Sequence, residues 1–133
     1  MAWFHPADQF AQAVTDWCRE RSPEFSWNLL LRIELRHNLR RLTGKYAAPA
    51  WHAYRASESS RKLRLTTLSL SELLERGDEL SARHAQASHA GTWDFVHVAA
   101  AQYVRAEIFI TCDVAQAELA RVVGLPKVHL FQI

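Results

Sequence analysis

Cysteine is almost absent: the 133-residue chain holds only Cys18 and Cys112, without the partner spacing of a metal ligand set. Two isolated thiols exclude a disulfide framework and fit a reducing compartment, so the cytoplasm is the expected location. Long apolar runs are missing too. None approaches the ~18 residues that mark a membrane span, and no basic stretch leading into an apolar stretch and a small-residue cleavage site opens the chain. No His/Cys set has zinc-site spacing. There is no internal repeat, no low-complexity tract and no interdomain linker. The expectation is a single domain over residues 1–133, since domains cluster near ~100–150 residues.

Lysine is scarce as well. Lys45, Lys62 and Lys127 are the only lysines among 16 basic residues, and the net charge is +2. Arginine forks bind phosphate bidentately better than lysine does. A GC-rich genome produces the same bias, however, and so small a net charge selects no partner. With 49% hydrophobic and 23% charged residues the composition is that of an ordinary globular protein, neither disordered nor fibrous.

What is present is an ordered succession of helix and strand signals. Phe10, Val14, Trp17 and Cys18 recur at helical spacing and predict a helix over Ala7–Arg21, stopped by Ser22-Pro23. A short extended piece at Phe25–Trp27 leads into a second helix, Asn28–Leu42, closed by Thr43-Gly44. Its stripe of Leu31, Leu35, Leu39 and Leu42 is the face to bury. Arg32, Arg36 and Arg40 share another face, while Glu34, Asn38 and Arg41 lie along the border of the stripe. A third helix follows over Ala48–Ser60, then a Thr- and Leu-rich strand over Leu63–Leu70. Ser69 and Glu72 form the capping box of a long helix through His89. Asp94–Val104 is a helix with small residues for close packing, Glu107–Thr111 a strand, Val114–Val123 a helix ended by Gly124, and Val128–Phe131 a last strand. Such alternation predicts an α/β fold with a parallel sheet.

Ligands of open parallel sheets bind beyond the carboxyl ends of the strands. Asp113 lies just past the strand ending at Thr111, Asp94 opens the preceding helix, and Glu34 sits early on another. Three carboxylates gathered at one sheet edge repel one another unless a hard cation is shared, for which Mg²⁺ or Mn²⁺ is the natural choice. Each acid has a plainer reading. Asp113 with Gln116 resembles a capping box, Asp94 suits the dipole of a first helical turn, and Glu34 reads as a surface ion-pair residue, although no cation stands at i+3 or i+4. His97, one turn after Asp94, reads either as an orienting or phosphate-meeting group or as a satisfied, partly buried histidine. Trp17, Trp27, Trp51 and Trp93 read as core or interface rather than stacking platforms, and Cys112 as an inert small hydrophobe.

The run from Thr92 to Ala101, containing D-x-x-H-x-A-A-A, then Ile108-Phe109-Ile110-Thr111-Cys112-Asp113, Leu119-Ala120 and Gly124-Leu125, resembles the C-terminal half of PIN domains, the nuclease domains typified by VapC-type toxins. The segment Leu31–Arg41 is similar to that family's glutamate-bearing helix, with an asparagine one turn on. The resemblance implies a three-layer α/β/α sandwich around a mostly parallel sheet. It implies metal-dependent hydrolysis of RNA, with Glu34, Asp94 and Asp113 holding Mg²⁺ or Mn²⁺ and Thr111 beside the last. Asn38, Arg41 and His97 would then seat a phosphate. It also implies a homodimer and a silencing antitoxin protein. One element departs from the pattern. The family's first strand and first aspartate have no counterpart, for Met1–Pro6 looks like the end of that strand and Asp8 comes too late. The expectation is that the natural start lies upstream or that the gap is filled by oligomerising, swapping or repacking. Three acids then bind metal more weakly than four. The rival expectation is a non-catalytic PIN-like module binding RNA or protein, and a third is a structural or dimerisation domain.

Overall fold

The computed structural model describes every residue from Met1 to Ile133. The chain is mixed helix and strand, with all strand pairs parallel. It divides into two compact units, Met1–Thr66 with Ile133, and Thr67–Gln132. No helix is long and apolar enough to cross a membrane.

In the first unit, α1 (Ala11–Arg21), β1 (Phe25–Trp27), α2 (Leu29–Arg40), α3 (Ala47–Ser59) and β2 (Leu63–Leu65) follow one another. β1 pairs with β2 in the register Phe25 to Leu63 and Trp27 to Leu65, so α2 and α3 together form the crossover that parallel strands require. The turn from β1 into α2 is made by buried Asn28. Its side chain accepts from the Leu30 and Leu31 amides, both at 3.0 Å, satisfying two donors that the first helical turn leaves open. The expected leucine stripe of α2 faces inward: Leu39 is buried, and Leu31, Leu35 and Leu42 pack against a core of Phe4, Trp27, Leu39, Ala50, Tyr54 and Leu63. Tyr54 stands at its centre, fully buried, with Phe4 and Trp27 edge-on at ring distances of 5.9 Å each. Such pairs add about 0.5–1.5 kcal/mol each beyond area burial.

Helix α1 starts at Ala11, later than the periodicity predicts, because Met1–Phe10 is taken up by turns. The Asp8 side chain accepts from the Phe10 amide at 2.9 Å, a local bond that competes with helix. Strand β2 ends at Leu65 rather than Leu70, because β1 supplies only three residues to pair with; the Thr66 amide closes the ladder on the Trp27 carbonyl.

In the second unit, α4 (Leu70–His84), a 3₁₀ turn at Ala85–Ala87, α5 (Thr92–Tyr103), β3 (Phe109–Thr111), α6 (Val114–Val122) and β4 (Val128–Leu130) alternate as expected, except that α4 stops at His84, short of the expected His89, where the backbone tightens into the 3₁₀ turn. Ser69 caps α4 through the Glu72 amide, as the S-x-x-E pattern predicts. Helix α5 is the most deeply buried, with Phe95, Val96 and Val98–Ala101 all inside, as its small residues foretell. β3 and β4 pair from Phe109 to Val128 and from Thr111 to Leu130. The ladder begins with the Phe109 amide on the Lys127 carbonyl.

Gly77, in the middle of α4, meets α5 at close range: a Cβ built there would lie 3.0 Å from Val96 Cγ2 and 3.4 Å from Val96 Cα. Gly77→Val is expected to destabilise the fold by about 1–3 kcal/mol through overpacking. In Gly77→Ala, crowding offsets most of the ~1 kcal/mol that alanine gains in a helix. Urea denaturation of the two variants checks the contrast, and equal midpoints would contradict the close approach.

Candidate functional site

Residues of the second unit bring two of the three expected acids together. Thr111 closes β3, is buried, and accepts the Asp113 amide on its Oγ1 at 3.0 Å. That turn places Asp113 at the N-cap of α6, where its Oδ1 accepts from the Gln116 amide at 2.9 Å. The Gln116 side chain does not complete the capping box. It reaches back across the unit instead, and its Nε2 donates to Asp94 Oδ1 at 2.8 Å. The other Asp94 oxygen, Oδ2, accepts from the Gly91 amide at 2.7 Å, so Asp94 closes the first turn of α5 with Gly91 rather than Thr92 as the cap. One glutamine therefore serves both carboxylates, by its backbone to Asp113 and by its side chain to Asp94.

The electrostatics are one-sided. Asp94 is half-buried and Asp113 exposed, and neither forms an ion pair. The Gly91 and Gln116 amides and the Gln116 side-chain NH₂ hydrogen-bond the pair, at the positive ends of α5 and α6. A carboxylate offers about four lone-pair sites, and these bonds occupy two on Asp94 and one on Asp113. The remaining oxygen valences are hard donors carrying two negative charges. That donor set fits Mg²⁺ or Mn²⁺, since Mg²⁺ is commonly bound through one or two carboxylates together with waters and substrate phosphates. His97 lies one turn beyond Asp94 on α5, half-buried.

Glu34 belongs to the first unit, exposed on α2, with half-buried Asn38 one turn on. Arg41, exposed, is the C-cap of that helix, its amide donating to the His37 and Asn38 carbonyls at 3.2 Å each. Within neither unit do three or more His, Cys, Asp or Glu side chains group so as to hold a metal ion. No family model, curated protein or solved structure matches the chain. The site therefore has to be judged on its own chemistry.

The periodicity does not disclose a second polar cluster, built on the first unit's core. The buried Tyr54 hydroxyl accepts from Arg36 Nε at 2.6 Å and donates to Glu58 Oε1. Arg36 Nη2 reaches both Glu58 oxygens at 3.2 Å, Arg55 reaches Oε2 at 3.2 Å, and Arg32 lies 3.4 Å from Oε1. The arginine face of α2 thus docks in part on α3. The available signal was Tyr54 and Glu58 at i and i+4 on one helix face. Burial pushes the Glu58 carboxyl up, but the hydrogen bonds from Tyr54 and Arg36 and the charges of Arg36 and Arg32 outweigh it and hold the group below its ordinary 4.5. Burial also raises the Tyr54 phenol, reinforced by its bond to the Glu58 carboxylate.

Glu58→Ala leaves a buried hydroxyl and its guanidinium neighbours without their acceptor. The expected loss at neutral pH is about 1–3 kcal/mol of unfolding free energy, measured by urea denaturation. Because the folded-state carboxyl titrates below 4.5, the wild-type advantage over Glu58→Gln is complete above that value and falls away as the pH drops through the lower folded one. An advantage that grew on acidification would contradict this arrangement.

Proposed function

We propose that this chain is a PIN-like, metal-dependent endoribonuclease, its elements arranged as a three-layer α/β/α sandwich. One observation carries the reading: Asp94 and Asp113 are held together through Gln116 at the carboxyl end of a parallel strand, with no counter-cation. Ligands of parallel α/β sheets bind at that end. Two carboxylates that share one glutamine and form no ion pair leave oxygen valences open to a cation.

Asp94 and Asp113 would hold Mg²⁺ or Mn²⁺. Such an ion, when bound, acidifies water and stabilises negative charge on a phosphate undergoing attack. The chain's own groups do the positioning. The Gly91 amide and the Gln116 side chain fix the two Asp94 oxygens, and the Gln116 amide fixes Asp113. The Thr111 hydroxyl, having accepted the Asp113 amide, keeps its own proton to donate. The RNA phosphate would complete the oxygen set, and His97 is the proposed group to meet it. Glu34, Asn38 and Arg41 remain proposed contributors by the family resemblance alone. A homodimer, a silencing antitoxin and a cytoplasmic location belong to the same proposal.

The test is cleavage of a mixed single-stranded RNA pool by the purified chain with Mn²⁺, with EDTA, and in Asp94→Asn, Asp113→Asn, Glu34→Gln and Gln116→Leu. Cutting is expected with Mn²⁺, to vanish with EDTA and in either aspartate variant, and to fall about 10–100-fold in Gln116→Leu, the size of effect typical of a residue that orients a metal ligand. No cutting, together with no heat of Mn²⁺ binding by calorimetry, would overturn the enzyme and leave a non-catalytic module that binds RNA or protein.

A further inference from the structure

Charge is divided unevenly along this chain. The first unit, Met1–Thr66 with Ile133, carries eleven basic and six acidic side chains, whereas Thr67–Gln132 carries five and eight. A chain of net +2 therefore joins a first unit of +5 to a second of −3. Charge asymmetry between halves is a mark of proteins that bind polyanions.

The positive charge gathers at one corner of the first unit. No acid occurs between Glu34 and Glu58, a stretch that holds Arg36, Arg40, Arg41, Lys45 and Arg55. Arg36 and Arg55 are engaged by Glu58. Arg40, Arg41 and Lys45 are all exposed where α2 ends and the chain turns into α3, and none of them forms an ion pair. The negative end of a helix dipole amounts to only about half a charge. Three cations exceed what α2 itself can use.

Two of these cations are backed by rings. The Arg40 guanidinium lies over Trp51, 5.5 Å from the ring centroid, and the Lys45 ammonium lies over Tyr46 at 5.0 Å. Both rings are half-buried, and Trp51 packs against the first unit's core. The rings hold the cations in place rather than offering faces of their own. A guanidinium seated on a ring keeps its other plane open, and it has already given up side-chain freedom that binding would otherwise cost.

Apolar groups are missing from the same surface. No large apolar side chain is exposed between Ile33 and Leu65. A surface that docks on a bilayer carries such groups to enter it, so charge without them selects a soluble polyanion.

We propose that this corner docks single-stranded RNA. Arg41 and Lys45 take backbone phosphates, and the open plane of Arg40 carries an unpaired base, as guanidinium planes do in RNA recognition. A duplex, whose bases are closed in a stack, has no base to lay on that plane. The surface shares its ligand class with the proposed nuclease, but it is built from first-unit residues and uses no metal.

The experiment is fluorescence anisotropy of a labelled, unstructured RNA of about 12 nucleotides, a length within the range of single-strand sites, titrated with the full chain in EDTA. The outcome is then independent of whether the acid pair holds a cation or cuts. Saturable, salt-sensitive binding is expected. Lys45→Gln should flatten the slope of log affinity against log salt by about 0.7, the value of one phosphate contact on a single strand. Arg40→Lys keeps the charge, so the slope should stay while affinity falls about fivefold or more with the lost plane. Both positions are exposed, and both variants should melt with the parent. Lys127→Gln, the same change of charge in the second unit, should leave slope and affinity in place. The proposal is overturned by absence of saturable binding at low salt, or by a Lys127→Gln effect equal to that of Lys45→Gln. A duplex of the same sequence bound as tightly as the single strand would overturn the stacked base. Anionic phospholipid vesicles that bind the chain and are not displaced by the RNA would overturn RNA as the partner of this corner.

Discussion

A parallel pair of three-residue strands closes too few hydrogen bonds to hold itself together, so everything in this protein depends on how helices are fastened to strand ends. Each unit meets that constraint at the turn where the chain leaves a strand for a helix. Asn28 follows β1 and satisfies two amides of α2. Asp113 follows β3 through a turn closed by the Thr111 hydroxyl and satisfies an amide of α6. A side-chain oxygen at the helix start does the work that a longer ladder does in larger sheets. The same short turn delivers polar groups to the carboxyl end of the strand, so the device that stabilises the fold also furnishes the chemistry there.

The two units balance charge in opposite ways. In the first, arginines outnumber the carboxylate they surround, and the excess is tolerated because Tyr54 and the aromatic core anchor the geometry. In the second, two carboxylates share one glutamine and the positive ends of two helices, with no cation of the protein's own. Buried or half-buried charge of one sign is expensive when it stands alone. The arginine excess is met within the protein by Glu58 and Tyr54, whereas the open carboxylate valences are the feature on which the proposed cation site rests.

Much of this was legible in the order of residues. The leucine stripe of α2, the Ser69 cap, the alanine-rich α5 and the alternation in the second half all came from local periodicity and capping patterns, and all are found. The later start of α1 and the shorter β2 were not legible, because they turn on a side-chain bond at Asp8 and on the length of a partner strand well separated in sequence. Asp94, Asp113 and Thr111 could be chosen from spacing. That Gln116 would link them could not, since its two bonds join residues that only the packing of α5 beside α6 brings within reach. The Tyr54–Glu58 pair had a helical spacing to betray it, as did Arg55, but Arg32 and Arg36 lie on another helix. The division of the chain into two units left no mark in composition, for no linker-like stretch separates Thr66 from Thr67.

The bond from Gln116 to Asp94 spans 22 positions of sequence, and it sets an order of events. Asp94 is synthesised well before the glutamine that orients it. Until α6 has been made and has docked, the Asp94 carboxylate answers only to the Gly91 amide, and Asp113 does not yet exist beside it. The acid pair thus exists only once α6 has been made and has docked. A polypeptide halted short of α6, however well its earlier helices have formed, carries no pair to which a cation can be drawn.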